Sequence, residues 1–408
     1  MSKLGLLGRN RPFRTLWAAR TVSVLGDNIA ALALVLLVIR TEGSGVAVGL
    51  LLLVRAAVGL LGPLAGAVVD RTDQRALMLG CELGQAVIVA VIALTLPPFP
   101  VLLALFAAAS ALATLFLPAG RSVLPALVPD EDLPAANVLR GVSSNIGTIA
   151  GPALGGVLVA SLGVRGALLA DVLTFLASAA LLRRLPALPP QAVRGAGQGV
   201  LRDAVAGLGY VARHPAARAV GLGLFLVVAF AGLDNVAVGF LATEVFGAGA
   251  VGLGLLGAVY GVGMVLAPLA LLRFGTRVPP ASALLLGIGL MGAGALLTGL
   301  APAFALAMAM QGLGGAGNGL ENAANDTLVQ RTVPRALLGR TFGAVYSGAS
   351  VGENVAFAAG GPLVDLIGAR GTYVVAGCGT LATLALVWVL LRAASSPTME
   401  ARGSTIER

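Results

Sequence analysis

Charged residues are scarce in this sequence, and their scarcity excludes a water-soluble protein. Asp, Glu, Lys and Arg together make up 11% of the 408 residues, whereas soluble domains usually carry about 25% charged residues. Hydrophobic residues make up 58% of the chain. A soluble protein of this composition would lack a polar surface, so the sequence predicts a membrane protein.

Cysteine and histidine are too few for a disulfide framework or a metal centre. The chain has two cysteines, Cys81 and Cys378, and one histidine, His214. Both cysteines lie in apolar runs far apart in the sequence, as small packing residues do. Disulfide frameworks and zinc sites need several such residues at short spacing. We therefore predict no disulfide framework, no metal site and no cofactor.

The motifs of enzymes are missing as well. The sequence contains no phosphate-binding loop, no nucleophile motif and no metal-ligand pair. Its Gly-x-x-x-Gly spacings fall within apolar runs, where they indicate close helix packing. We therefore predict that the protein is not an enzyme and has no catalytic residues. The lack of a sizeable polar domain also argues against a signalling receptor.

Long apolar runs are what the sequence has in abundance. Twelve of them approach the ~20 residues that a membrane-spanning helix requires. The first is long, has a polar centre and ends without a small-residue cleavage site, so we interpret it as a span and not as a signal peptide. Segments 1 to 12 are residues 15–39, 46–69, 76–97, 99–118, 137–162, 166–184, 219–242, 249–272, 281–300, 303–323, 341–364 and 371–392.

The positive charges predict how the chain is oriented. If the N-terminus is cytoplasmic, the inner loops and termini hold all Lys and Arg residues except Arg40, Arg165 and Arg370, which are outside, and Arg55, which lies in segment 2. This asymmetry predicts a multi-pass protein of the inner (plasma) membrane with both termini in the cytoplasm and the turn near Ser44 outside. It also accounts for the net charge of +9 by topology and attraction to anionic lipid, without a nucleic-acid partner.

A polar stretch near the middle divides the chain. We predict an N-terminal six-helix bundle over 1–184, a cytoplasmic linker over 185–218, a C-terminal six-helix bundle over 219–392 and a disordered cytoplasmic tail over 393–408. The linker contains Gly197 and a pattern typical of an amphipathic helix on the membrane surface. The apolar face of that helix is formed by Leu201, Val205, Leu208 and Val211.

The two halves of the sequence resemble each other. "GGVLVASLGVRG" at 155–166 matches "GGPLVDLIGARG" at 360–371, an offset of 205 residues, and the same offset carries Pro63 onto Pro268. Two parallel six-helix repeats joined by a cytoplasmic linker are typical of alternating-access transporters, whose substrate site lies near the membrane midplane.

Charged and amide residues interrupt the apolar segments at corresponding places. With a two-residue adjustment, Asp27-Asn28 falls on Asp234-Asn235. A carboxylate at the bilayer centre costs at least about 2.5 kcal/mol on insertion scales, so it usually has a function. At 1.5 Å per residue, Asp27 and Arg55 differ in depth by only ~3 Å and could form an ion pair. Asp27 would stay ionised when paired and could bind a proton when unpaired.

Adjacent acid and amide residues recur along the chain. Neighbouring residues on a helix point about 100° apart, so each pair offers a separate acid and amide. Their oxygens suit hard cations, which leaves a sodium or metal-ion site open as an alternative to a proton site. The pairs are Asp27-Asn28, Asp234-Asn235, Glu321-Asn322, Asn325-Asp326 and Glu353-Asn354.

Two motifs resemble those of a known family. "GAVVDRTDQR", Gly66 to Arg75, resembles the loop between helices 2 and 3 of the major facilitator superfamily, although Asp73 stands where glycine is usual. "GTIAGPALGG", Gly147 to Gly156, matches the helix-5 pattern of the proton-driven exporters in that superfamily.

Other stretches resemble one branch of that family. They are "NRPFRTLWAARTVSVLGDNIA", "LPAGRSVLPALVPDEDLPAAN" and "TLVQRTVPRALLGRTFG", which are similar to the branch containing macrolide-efflux and enterobactin-exporter proteins. The resemblance implies the major facilitator fold, an all-α membrane protein with twelve transmembrane helices in two pseudo-symmetric six-helix bundles.

The resemblance also implies roles for individual residues. Helices 1, 4, 7 and 10 of the family line a central cavity, which ranks Asp27, Asp234 and Glu321 first among the acids and Glu353 next. Glu82 and Asp171, on segments 3 and 6, would be peripheral, and each is expected to be a packed, hydrogen-bonded or neutral acid. The expected coupling or substrate residues are Asp27, Asn28, Arg55, Asp234, Asn235, Glu321, Glu353 and Asn354.

The two family motifs would act at the inner mouth and between helices. Gly66, Asp70, Arg71 and Arg75 would form a gating loop whose charges pair with each other and with helix ends. In the second motif, glycines would allow close backbone approach and the proline would weaken the helix. The residues of this export motif are Gly147, Gly151, Pro152, Gly155 and Gly156.

Together these features predict a secondary transporter. The leading hypothesis is proton-coupled export, by antiport and alternating access, of a small amphipathic or hydrophobic molecule such as a drug, a siderophore or a lipid-like compound. The alternative is a transporter of a cation or metal chelate that uses the buried acid-amide pairs. The expected partners are a small-molecule substrate, a proton or another cation, and membrane lipid, with the protein acting as a monomer.

Overall fold

The computed structural model of the chain describes residues 5–69, 71–186, 209–274, 278–334 and 337–394. Within these ranges the secondary structure is helical, without strands. Three predictions fall in part or wholly outside the described residues. They concern Asp70 of the gating loop, the linker over 187–208 and the tail over 395–408.

The helices follow one another with short connections. Asn10 begins the first long helix as its N-cap, because its side chain accepts a hydrogen bond from the Phe13 amide at 2.9 Å. A 3-10 turn covers Asp130–Asp132, residues 209–213 are helical, and a π-helical turn covers Leu241–Val245. The α-helices are α1 Gly5–Arg9, α2 Arg11–Glu42, α3 Gly45–Gly59, α4 Gly62–Val69, α5 Gln74–Thr95, α6 Phe99–Ser122, α7 Leu124–Leu127, α8 Leu133–Leu182, α9 Pro215–Ala231, α10 Asp234–Phe240, α11 Gly249–Phe274, α12 Pro280–Leu300, α13 Phe304–Thr332 and α14 Leu338–Ala394.

These helices account for all twelve predicted segments. Eight of the described helical stretches are long and apolar enough to cross a membrane. The long helices α8 and α14 each cover two segments, α3 with α4 covers segment 2, and α9 with α10 covers segment 7. The more polar α13 covers segment 10. The prediction of an all-α membrane protein is confirmed.

Each of the two longest helical stretches consists of two helices that meet at a glycine with non-helical backbone angles, and the two glycines are equivalent. Gly163 in α8 has φ 71° and ψ 178°, and Gly368 in α14 has φ 71° and ψ 171°. This region of backbone conformation is open essentially to glycine alone. The two glycines stand 205 residues apart, the offset at which the sequence repeats. The repeat therefore extends to backbone geometry.

Contacts divide the chain into two compact units. The first unit comprises Met1–Gly197 and Val238–Gly261, and the second comprises Gln198–Ala237 and Val262–Arg408. The domain boundaries given above on sequence grounds stay a prediction.

Each unit has an apolar interior between its helices. In the first unit, Leu16 of α2, Met78 of α5, Phe116 of α6 and Leu182 of α8 belong to one buried cluster. In the second unit, Val227 of α9, Leu284 and Ile288 of α12 and Val387 of α14 do the same.

Large apolar side chains also cover the outer surface of the helices. Leu94, Leu173 and Leu366 are more than half exposed. In water this surface would be costly, whereas in a bilayer it faces hydrocarbon while the helices satisfy their own backbone hydrogen bonds.

Candidate functional site

The first unit encloses a cavity of about 480 Å³ among α2, α3, α5, α6 and α8. This volume lies within the ~300–1,000 Å³ typical of small-molecule pockets. Most of the wall is apolar, and Phe106, Phe116 and Phe175 contribute rings to it. The polar and charged side chains in the wall include Arg20, Asp27, Arg55, Gln85, Ser110 and Asp171.

Asp27 is paired with an arginine on its own helix. The Arg20 guanidinium lies 3.9 Å from the Asp27 carboxylate, and the two side chains are 30% and 28% exposed. Seven residues make about two helical turns, so both side chains project from the same face of α2. The Arg20 guanidinium also lies over the Phe116 ring, 5.3 Å from its centroid. The cavity therefore contains an ion pair that water can reach.

Arg55, the partner considered from the sequence, does not hold Asp27 in this conformation. Its side chain lines the cavity, and its charge acts on Asp27 after that of Arg20. Among the described residues, the ion pair of Asp27 is made by Arg20. The sequence favoured Arg55 because its depth in the membrane is close to that of Asp27. Arg20 lies two helical turns from Asp27 on the same helix, and a comparison of depths does not identify it as a partner.

Glu82 and Asp171 are buried acids with Asp27 as a charged neighbour. Glu82 of α5 is 0% exposed and Asp171 of α8 is 1% exposed. Helix α8 packs on both α2 and α5, so acids from three helices lie in the interior of the first unit. Both are packed acids, and Asp171 is hydrogen-bonded by Thr174.

Gly26 makes this close approach possible. A Cβ atom at position 26 would overlap Thr174 Oγ1 and Asp171 Oδ1. Thr174 donates a hydrogen bond to the Asp171 carboxylate at 3.0 Å and to the Asp171 carbonyl at 2.8 Å. Because residue 26 has no side chain, this polar stretch of α8 lies directly against α2, one residue away from Asp27.

Asn28 points away from the acids. Its Nδ2 donates to the Val24 carbonyl at 2.7 Å, and its side chain packs against Gly147 and Gly151 of α8. Asn28 is not among the residues that line the cavity. Asp27 therefore faces the cavity while Asn28 faces α8, as the angle of about 100° between adjacent helical residues predicts.

The export motif packs on both of its faces. A Cβ at Gly155 would meet the Ile29 Cα atom at 3.2 Å, so this face, with Gly147 and Gly151, lies against α2. A second face lies against α11, because a Cβ at Gly156 would meet the Ala250 carbonyl oxygen at 2.6 Å. Pro152 lies on that second face beside Gly254 and Gly257. The motif thus joins two helices of the first unit through backbone contact.

The gating-loop residues cap helix ends. Arg75 donates to the Arg183 carbonyl at 2.6 Å, just after the C-terminus of α8, where a positive charge is favourable. Asp73 accepts from the Ala76 amide at 2.7 Å and forms the N-cap of α5. Arg71 is exposed and Gly66 lies in the backbone of α4.

The acids of the second unit lie on three helices. Asp234 is half-buried at the start of α10, after the helix break at Gly232. Glu321 of α13 is 2% exposed, and one of its carboxylate oxygens has no hydrogen-bond partner in the described part of the chain. Glu353 is exposed on α14.

Four of the five amides in the acid-amide pairs donate to a backbone carbonyl three or four residues earlier, whereas the Asn325 amide oxygen is buried without a hydrogen-bond partner in the described part of the chain. Asn28 donates to a carbonyl in α2, and Asn235, Asn322 and Asn354 donate to the carbonyls of Gly232, Asn318 and Ser350 at 3.3, 2.9 and 2.8 Å. The regular occurrence of these amides is therefore explained by local hydrogen bonding inside apolar helices.

Sequence reasoning missed Arg20 and Thr174 and underrated Glu82 and Asp171. Arg20 was counted as a positive-inside residue near the end of its segment. Glu82 with Gln85, and Asp171 with Thr174, are polar pairs at i, i+3 within apolar segments, and such pairs share a helix face. That spacing was the available signal for a polar interior between these helices.

Comparison with known proteins agrees with this architecture. The model of the transmembrane secretion effector family, a group of the MFS transporters, matches residues 6–406. An uncharacterized MFS-type transporter of Bacillus subtilis (strain 168), YfiS, is 30% identical over 392 residues, which is 91% of each chain. Macrolide efflux protein A of Streptococcus pyogenes is 28% identical over 168 residues, 40% of this chain and 41% of that protein.

A solved structure shares the fold at low sequence identity. The crystal structure of the nucleoside transporter NupG superposes with a TM-score of 0.75 at 12% identity, covering 93% of this chain and 98% of that one. The family is one of transporters and not of enzymes. With its helices, its repeat and its matching family model, the chain belongs to the transmembrane secretion effector family of the major facilitator superfamily and is a multi-pass membrane transporter.

Proposed function

We propose that the protein is a proton-driven exporter of small amphipathic or hydrophobic molecules, acting by antiport and alternating access. Drugs, siderophores and lipid-like compounds are the substrate classes. The partial similarity to a macrolide efflux protein and the export motif support the direction of transport. The charge asymmetry supports an inner-membrane location with both termini in the cytoplasm, and we propose that the protein acts as a monomer.

The observation that carries this proposal is the Asp27–Arg20 ion pair in the cavity of the first unit. The pair stabilises the ionised carboxylate at a distance of 3.9 Å. Arg55 supplies a second positive charge to the same carboxylate. When a conformational change separates Asp27 from these cations, the apolar surroundings favour the protonated form.

Two conformations that differ in proton affinity are what coupling requires. A proton gradient can then shift the equilibrium between them, and the change in conformation can move substrate against its own gradient. Proton binding can shift the equilibrium between the two conformations only by as much as their proton affinities differ. Asp27 is therefore proposed as the group at which the gradient acts.

The geometry gives less support to a cation or metal-chelate carrier. Within the described residues, no group of three or more His, Cys, Asp or Glu is arranged to hold a metal ion. Four of the amides that suggested such a site from the sequence donate to backbone carbonyls three or four residues earlier. A sodium gradient in the transport experiment below tests for a cation carrier.

Transport into inside-out proteoliposomes tests the function. The purified protein is reconstituted, and uptake of a radiolabelled macrolide is measured with an imposed pH gradient, acidic inside, and after an uncoupler has collapsed it. We expect accumulation above the external concentration only with the gradient intact. Equal accumulation after collapse would contradict proton coupling, and accumulation driven by a sodium gradient instead would support the cation alternative. A siderophore and a fluorescent lipid are assayed in parallel as further substrate classes.

A further inference from the structure

The three acids that meet inside the first unit have different surroundings. Asp27 reaches the cavity and has Arg20 as an ion-pair partner. Asp171 also lines the cavity and accepts a hydrogen bond from Thr174 at 3.0 Å. Glu82 has none of these contacts. It is 0% exposed, it does not line the cavity, and neither of its carboxylate oxygens has a hydrogen-bond partner among the described residues.

An ionised Glu82 would be hard to accommodate in this position. The Ser23 and Ser178 hydroxyls lie near the Glu82 carboxylate and favour its ionised form in part, but neither makes a hydrogen bond of good geometry with it. A buried carboxylate without a cation in contact or a well-formed hydrogen bond loses its hydration with little compensation, and such a group becomes neutral instead. Its like-charged neighbours Asp27 and Asp171 add to the cost of ionisation. The Arg20 guanidinium is the positive charge near it, and that group is in contact with Asp27.

We propose that Glu82 is the group that retains the transported proton, which it receives from the cavity through Asp27. This inference rests on the proton coupling proposed above and names the group in which the proton is held. In the transfer, the O–H bond of a protonated Asp27 breaks and an O–H bond forms on the Glu82 carboxylate. Asp27 becomes ionised again and returns to its ion pair with Arg20.

The groups that face Glu82 suit a neutral carboxyl. From α2 it is faced by Ser23, Asp27 and Arg20, and from α8 by Ser178 and Asp171, while Cys81 adjoins it on α5. The Ser178 hydroxyl is itself buried without a hydrogen-bond partner in the described part of the chain. A carboxyl O–H is a donor that a carboxylate lacks, so a small rotation would allow Glu82 to donate to this hydroxyl.

Infrared spectroscopy observes the proton directly. Purified protein in lipid at neutral pH is compared with Glu82→Gln, since protonated carboxyl groups have a C=O band that shifts in D2O. We expect the wild type to show this band, Glu82→Gln to lose one component of it, and the exposed control Glu244→Gln to keep it. A Glu82→Gln spectrum with the full wild-type band would overturn the proposal. Glu82→Leu fills a similar volume and must lose the same component of the carboxyl C=O band. This variant replaces Glu82→Gln in the experiment if the glutamine variant does not fold.

Transport then separates this inference from the proposed function. With a pH gradient imposed, Glu82→Gln should lose macrolide accumulation while equilibrium binding of the macrolide stays at the wild-type level, and Glu244→Gln should transport like the wild type. Wild-type transport that depends on the gradient, together with unchanged accumulation by Glu82→Gln, would contradict the role of Glu82 alone. A wild type that shows no gradient-dependent transport would contradict the proposed function and this inference with it.

Discussion

At the scale of single residues, the proposed proton coupling depends on where the charged side chains lie inside the membrane. Asp27 could be recognised from the sequence because a carboxylate within an apolar segment is costly and therefore informative. Its partner could not, because the sequence ranks partners by depth, whereas the pairing with Arg20 depends on the rotation of α2 and on the Phe116 ring beneath the guanidinium. The burial of Glu82 depends on how α5, α2 and α8 pack, which no single segment reveals.

The two arginines of the cavity should differ in their effect on stability. Arg20→Gln leaves the Asp27 carboxylate without a cation in contact, whereas Arg55→Gln removes a charge that makes no ion pair within the described residues. Because the Arg20–Asp27 pair is partly exposed to the cavity, we expect a loss of only about 1 kcal/mol for Arg20→Gln and less for Arg55→Gln. The measurement is the thermal unfolding midpoint in detergent at neutral pH. A larger shift for Arg55→Gln would make Arg55 the partner of Asp27.

At the scale of helices, the sequence predicted where segments lie better than how they are joined. The apolar runs identify the spans because ~20 residues are needed to cross a bilayer. They end and begin on either side of Gly163 and Gly368, where the backbone is non-helical, but they do not reveal that Gly232 interrupts segment 7. Gly163 and Gly368 adopt backbone angles that glycine permits, whereas Gly232 has ordinary helical angles, so the residue type alone does not mark that break.

The export motif provides a prediction at this scale. Gly156→Ala would place a methyl group against the Ala250 carbonyl at 2.6 Å and the Gly254 Cα at 3.2 Å, and backbone on both sides leaves little room to adjust. We expect α8 and α11 to be pushed apart, at a cost of about 1–3 kcal/mol, with a loss of transport. The measurements are the unfolding midpoint and macrolide accumulation.

Gly141→Ala is the matched control for this variant. Gly141 lies on the same helix, is exposed and has open space around its Cβ position. Alanine is the better helix former by about 0.5–1 kcal/mol, so the control should be slightly stabilised and transport normally. Equal behaviour of the two variants would show that close packing at residue 156 is not required.

At the scale of the whole molecule, the internal repeat and the family match agree. The offset of 205 residues seen in the sequence appears again as equal backbone angles at Gly163 and Gly368. The second half does not reproduce the charge arrangement of the first, because the equivalent of Arg55 is Tyr260. The described acids of the second half are distributed over α10, the π-helical turn, α13 and α14. The repeat therefore predicts the helices of both halves, whereas the proposed coupling chemistry belongs to the first unit.

The central claim is that a proton on the acids of the first unit drives transport, and Asp27→Asn tests it most directly. An asparagine has nearly the same shape but cannot exchange a proton, so the variant should bind the macrolide and allow downhill exchange while losing uphill movement. The measurement is macrolide accumulation in proteoliposomes under an imposed pH gradient, beside equilibrium binding of the same compound. The account predicts wild-type binding with accumulation abolished. Accumulation at the wild-type rate would contradict it and direct attention to Glu321 or Glu353.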